Sequence, residues 1–125
     1  MSPENHLIID WSRSFDTDDL KSKIEGVGLT VSEFRTLSYD DPTIASRFYG
    51  QTVKDERFKS PLNIYFVVDP NPNYDYRQTT RGKREVNTNM FDLKKNLRSM
   101  IKGQLHATDN PEETLENLKI LNIDV

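Results

Sequence analysis

One histidine sits where the sequence changes from strand to helix. The segment reads His106-Ala107-Thr108-Asp109-Asn110-Pro111-Glu112-Glu113. The backbone N–H groups that open a helix have no partner within it and attract anions such as phosphate. An imidazole beside them has the chemistry to attack a phosphoryl group and hold it covalently. For that it must be neutral, which an ordinary pKa of about 6.5 permits at neutral pH. The plain alternative is that Asp109 and Asn110 only cap the helix, with His106 a half-buried strand residue. A second group lies upstream. Tyr74, Tyr76, Arg77, Arg81, Lys83 and Arg84 interleave aromatic rings with positive charge, a mixture suited to stacking on bases and contacting phosphates. The alternative there is a solvated surface hairpin, and Asp69 and Asp75 dilute its charge.

Composition removes several other chemistries. The chain has no cysteine, which excludes disulfides, thiol nucleophiles and thiolate metal sites. Its two histidines, His6 and His106, exclude a multi-histidine metal centre, and His6 reads as a surface residue. With 17 basic and 20 acidic residues the net charge is −3, which does not favour general binding to nucleic acid or anionic membranes. No apolar run approaches the roughly 20 residues that cross a bilayer. The start, MSPENHLIIDW, lacks the basic and apolar regions of a signal peptide, so a cytoplasmic location is the default expectation. The 125 residues fit one domain, 1–125, and 12 aromatics (six Phe, five Tyr, Trp11) supply a core.

The elements that must position these residues follow from periodicity. Residues 7–11 read as a buried strand. Ser14 or Asp16 caps a helix with Leu20 and Ile24 one turn apart, which Gly26 and Gly28 end. Leu29, Val31, Phe34 and Leu37 give a second strand. Asp40-Asp41-Pro42 opens a helix carrying Ile44, Ala45, Phe48 and Tyr49. Residues 62–69, LNIYFVVD, are apolar almost throughout and predict a central strand buried on both faces. Residues 70–89 form a long insertion, with room for a short hairpin. Met90, Leu93, Leu97, Met100 and Ile101 place an amphipathic helix over 90–102. Residues 104–107 make a short strand. Asn110, Pro111 and Glu113 start a last helix with Leu115, Leu118 and Leu121 on its apolar side. This order fits an α+β, ferredoxin-like sandwich: a four-stranded antiparallel sheet with helices on one face.

The segment from His106 also resembles the active-site motif of nucleoside diphosphate kinases, a catalytic His followed by Gly, Ser, Asp and a helix with acidic residues. His106, Thr108 and Asp109 match, and Ala107 stands for the Gly. Residues 48–58, FYGQTVKDERF, are similar to the family's His-Tyr…Lys-Asp-Arg-Pro-Phe stretch, which puts Tyr49 where the family has a Tyr near the catalytic His. The helix at 90–102 resembles the one preceding the family's active site, and Arg98 matches an Arg that contacts phosphates. Thr79-Thr80-Arg81-Gly82 is similar to the family's Thr-x-Arg-Gly, but it lies before that helix instead of after it. The resemblance implies a ferredoxin-like fold, transfer of the γ-phosphate of a nucleoside triphosphate through a phosphohistidine at His106, Mg2+ with the nucleotide, and a homo-oligomer. Its substrate-binding residues would be Arg98, Tyr49, Arg81, Thr108 and Asp109, with no residue assigned to metal.

The chain departs from that family at three places. Where the family has Lys-Pro-Asp-Gly, it reads Asp10-Trp11-Ser12-Arg13, with Arg13 as the available cation. Gly103 stands where the family usually has Asn. Only seven residues separate Arg98 from His106, so the family's long loop between them is missing. Two rival readings follow: a catalytically degenerate domain of the same fold that binds a nucleotide or partner, and a small nucleic-acid or protein-binding module using residues 74–84.

Overall fold

A computed structural model describes residues 2–38, 44–49, 61–101 and 104–123; within 44–49 the side chains of Ala45, Ser46 and Tyr49 are outside the described set. The elements are β1 (Glu4–Asp10), α1 (Thr17–Glu25), β2 (Thr30–Leu37), α2 (Ile44–Tyr49), β3 (Leu62–Asp69), β4 (Tyr74–Thr79), β5 (Gly82–Asn87), α3 (Thr88–Arg98), β6 (Leu105–Ala107) and α4 (Pro111–Ile120). The expected helix start at 40–42 and the stretch 50–60 lie outside the described residues.

Four strands form one sheet in the order β2-β3-β1-β6, with every neighbouring pair antiparallel. This is the ferredoxin-like arrangement. Both central strands are apolar on both faces, and each face must be covered. Ile8, Tyr65, Val67, Leu105 and Ala107 meet Leu20 and Ile24 of α1 and Met90, Leu93 and Leu97 of α3. Leu7, Ile9, Leu62 and Ile64 meet Trp11, Ile44, Leu118 and Leu121 on the other side. The two crossover helices, α1 and α3, therefore share one face as expected, while α4 and α2 close the opposite one.

The insertion at 70–89 carries a β-hairpin in register from Tyr74↔Asn87 to Thr79↔Gly82. Gly82, at φ 99°, supplies the left-handed residue after the two-residue turn. The Thr79 hydroxyl accepts the Arg81 N–H at 3.1 Å and donates to the Gly82 carbonyl at 2.7 Å, which fixes the tip.

Two helices differ from the sequence expectation. α3 begins when Asn87 accepts the Met90 N–H at 3.1 Å, and it stops at Arg98 instead of continuing to 102. There the bonds tighten to three-residue spacing, from Ser99 N to Asn96 O and from Met100 N to Leu97 O. That tightening turns Met100 off the apolar stripe, leaving it 50% exposed. In α4 the expected cap is present: Asn110 Oδ1 accepts the Glu113 N–H at 2.8 Å, with Pro111 in the first turn. Leu115, however, is 52% exposed, and Thr114, Asn117 and Leu118 are the buried residues. The buried stripe is polar in part because Thr114 and Asn117 have partners below them. Asn110→Ala should destabilise the fold by about 1 kcal/mol by orphaning an N–H of the first turn. A urea midpoint unchanged from wild type would refute this role.

Candidate functional site

β6 delivers His106 to the site by pairing it with Ile9 of β1. The parity of the strand turns Leu105 and Ala107 toward the α1/α3 core, leaving His106 on the side covered by α4. Its Nε2 lies 2.7 Å from Asn117 Oδ1. With that oxygen as acceptor, Nε2 carries the ring proton and Nδ1 the lone pair. Phe48 of α2 meets the ring edge-on, at 5.4 Å and 88°, and Trp11 meets Phe48 in the same way at 5.1 Å. His106 is 9% exposed. Burial, with smaller contributions from Lys94 and Arg98, pushes its pKa down to about 4 against the Asn117 hydrogen bond, so the imidazole is neutral at physiological pH.

A cluster of charges surrounds this ring. Lys94 of α3 donates to Asp109 Oδ1 at 2.9 Å and to the Ala107 carbonyl at 3.4 Å. Glu113 Oε1 accepts the Asp109 N–H at 3.2 Å and stands 3.7 Å from His106 Nε2. Burial first, and Asp109 second, push the Glu113 carboxyl up to about 7, opposed by Lys94 and by Arg81 at the hairpin tip. Arg98 spends its Nε on the Leu105 carbonyl at 2.8 Å, one residue from His106.

Of the residues the sequence pointed to, Arg98 of α3 and Asp109 after β6 lie near His106, close enough for their charges to act on its ring. Thr108 is in a different environment. Its hydroxyl is fully buried, 2.9 Å from His6 Nδ1, 3.0 Å from Thr114 Oγ1 and 3.1 Å from the Leu7 N–H. It is part of a structural network, where the sequence reading had it holding substrate. The Tyr49 side chain lies outside the described residues. His6, expected at the surface, is 1% exposed. Its other nitrogen faces Glu4 at 3.1 Å, and Glu4 also accepts from Tyr74 Oη at 2.9 Å and from Asn87 Nδ2 at 3.0 Å. Asn87 Nδ2 reaches Asp69 at 2.9 Å as well, so these groups anchor the hairpin base to the sheet.

The hairpin's aromatic and basic set is partly used by the fold. Tyr74 is held by Glu4, and Arg77 pairs with Asp92 of α3 at 3.1 Å. Tyr76 stays 55% exposed, with the Lys83 ammonium 6.0 Å above its ring. Three residues of the His106 cluster were not singled out from the sequence: Lys94, Glu113 and Asn117. Glu113 was read only as part of the start of the last helix. The available signal was the i, i+4 spacing of Glu113 and Asn117, which puts both on one helix face. Among the described residues no group of three or more His, Asp or Glu side chains is placed to hold a metal ion, and no helix is long and apolar enough to cross a membrane.

The fold matches a solved structure, the orthorhombic crystal form of the nucleoside diphosphate kinase of Aquifex aeolicus. The TM-score is 0.51 over 96% of this chain and 95% of that one, at 13% identity. No protein-family model and no curated protein matches the sequence. The chain therefore has a nucleoside diphosphate kinase-like, ferredoxin-like fold.

Proposed function

We propose that the chain binds a nucleoside triphosphate and moves its terminal phosphoryl group through His106. The observation that carries this reading is a neutral imidazole whose Nε2 meets Asn117 Oδ1, with Lys94 and Arg98 of α3 close enough for their charges to act on the ring. The Nδ1 lone pair attacks phosphorus, and the bond to the bridging oxygen breaks. The electron pair leaves with the nucleoside diphosphate, and Nε2 keeps its proton. Lys94, Arg98 and Arg81 supply positive charge where the transferring group is most negative. Asp109 holds Lys94 in place. The hairpin tip then does, from before α3, what a loop after α3 would do, and it answers the short connection between Arg98 and His106. Mg2+ would arrive on the nucleotide as part of the substrate, with Asp109 engaged by Lys94.

A second reading is nucleotide binding without turnover. The edge-on contact of Phe48 and the small exposure of the His106 ring favour it, since a phosphoryl donor must reach that ring. Incubation with γ-labelled ATP separates the two. The first reading requires an acid-labile, base-stable phosphoprotein that His106→Ala reduces to background. Nucleotide binding with no label supports the second. Labelling that survives His106→Ala removes His106 from the mechanism.

A further inference from the structure

A cleft of about 260 Å³ lies beside α4, and none of the residues that line it belongs to the His106 cluster. One wall is Thr114 and Leu118 of α4, both buried, and the floor is Leu7 of β1 and Phe66 of β3. Across from α4, the end strand β2 supplies Glu33 and Arg35 at the mouth, both about half exposed. The deep end is therefore apolar and the open end carries one charge of each sign.

A β-bulge puts those two charges there. The pairing of β2 with β3 shifts by one residue between Val31 and Glu33. Ser32 is the extra residue, and its hydroxyl donates to the Phe66 carbonyl at 3.2 Å. The shift sets Glu33 opposite Phe66 and Arg35 opposite Ile64, on the face that α4 covers. In unbroken register Phe34 would stand opposite Ile64, and both charges would turn to the other face. Phe34 instead meets Tyr65 on that other face, ring centroids 5.0 Å apart. Arg35 Nε pairs with Glu33 Oε2 at 2.7 Å, and the guanidinium lies 5.2 Å from the centre of the Phe66 ring. An exposed ion pair of this kind contributes little to folding. Its place above an apolar floor is what a ligand would read.

We propose that this cleft binds a free α-amino acid with an apolar side chain. The side chain enters between Phe66 and Leu118, the ammonium pairs with Glu33 and the carboxylate with Arg35. In the empty cleft the two protein charges have each other. The amino acid, which carries both its charges on one carbon, adds a second partner to each. A lone carboxylate meets Arg35 but is repelled by Glu33, and a lone amine meets Glu33 but is repelled by Arg35, so both charges are required. The cleft is just smaller than the roughly 300 Å³ at which ordinary ligand pockets begin, which suits a ligand of amino-acid size rather than a nucleotide.

The test titrates the full chain with L-leucine and with L-phenylalanine, followed by 1H–15N NMR. Saturable shifts at Leu7, Phe66, Thr114 and Leu118, with a midpoint below about 10 mM for at least one of the two, are the expected result. The amide and the N-acetyl derivative of whichever binds each lack one charge. Both should bind at least about tenfold more weakly, the loss of one charge-assisted hydrogen bond. Glu33→Gln and Arg35→Gln should each weaken the amino acid to the same degree. The derivatives probe the same charges without a substitution, so the result stands if a variant does not fold. Absence of saturable shifts with both amino acids overturns the proposal, as do shifts centred elsewhere on the molecule. Equal binding of either derivative, or unchanged affinity in either folded variant, means a merely apolar cleft and overturns it too. No nucleotide is present in the titration, so its outcome is independent of phosphoryl transfer through His106.

Discussion

Trp11→Ala should destabilise the fold by about 3–5 kcal/mol, a large share of the roughly 5–15 kcal/mol that holds such a chain folded. The indole is fully buried at the end of β1, among Leu7, Ile9, Ile44, Leu62, Ile64, Leu118 and Leu121. Its backbone N–H donates to the Gln104 carbonyl at 3.1 Å, fixing the chain just before β6. Removing the indole takes a large apolar area and many dispersion contacts from a close-packed region, which relaxes only in part. The damage should also reach the site, because Trp11 supports Phe48 and Phe48 meets the His106 ring. With Phe48 loosened, water reaches the imidazole and its pKa should rise from about 4 toward its ordinary value. Urea unfolding gives the first quantity and NMR titration of His106 the second. Trp11→Phe keeps an aromatic ring and should cost about 1–2 kcal/mol, so the comparison survives if the alanine variant does not fold. A loss below about 1 kcal/mol for Trp11→Ala would refute this account of the core.

The folding stability of wild type should change little with pH between about 4.5 and 6.5 on account of the two groups facing each other in the site, and Glu113→Gln should remove that balance. His106 titrates near 4 when folded and near 6.5 in its ordinary state. As pH falls from 6.5 to 4 the unfolded chain takes up a proton that the folded chain refuses, and stability drops by about 3 kcal/mol. Glu113 runs the other way, titrating near 7 when folded and near 4.5 otherwise. Its contribution is fully present below 4.5 and is lost as pH rises to 7. Its size is somewhat smaller than that of His106, because 31% of the side chain is exposed and water screens it. Over the shared window the two slopes oppose. Glu113→Gln should therefore lose stability, relative to wild type, as pH is lowered from 6.5 to 4. His106→Ala should lose it, relative to wild type, as pH is raised from 4.5 to 7. Urea midpoints at several pH values measure both differences. Parallel profiles for wild type and Glu113→Gln would mean that neither group is as buried as the fold places it.

The same pair explains why the site was only half legible from the sequence. His106 declared itself because an imidazole just before Asn110-Pro111-Glu112-Glu113 is a local pattern: strand end, cap, helix start. Asn117 and Glu113 read as ordinary helix polar residues, since what distinguishes them is the ring beneath them, and β6 reaches α4 only in the folded chain. Thr108 shows a different limit. Its place two residues after His106 suggested a ligand contact, but β1 brings His6 and the Leu7 N–H to its hydroxyl from about a hundred positions away in the chain.

Local information in this sequence determined the strands and helices: the apolar run of 62–69, the 3.6-residue stripe from Met90 to Leu97, and the Asn110 cap. These depend on neighbours within a few residues, and they were enough to place the order of elements and so the ferredoxin-like sheet. Tertiary structure alone decided three further things. It put α4 and α2 on the second face, made a buried anchor of His6, and brought Lys94 and Glu113 to His106. Each depends on burial and charge between residues of different elements, and those interactions have no magnitude until the chain has folded and water has been removed from between them.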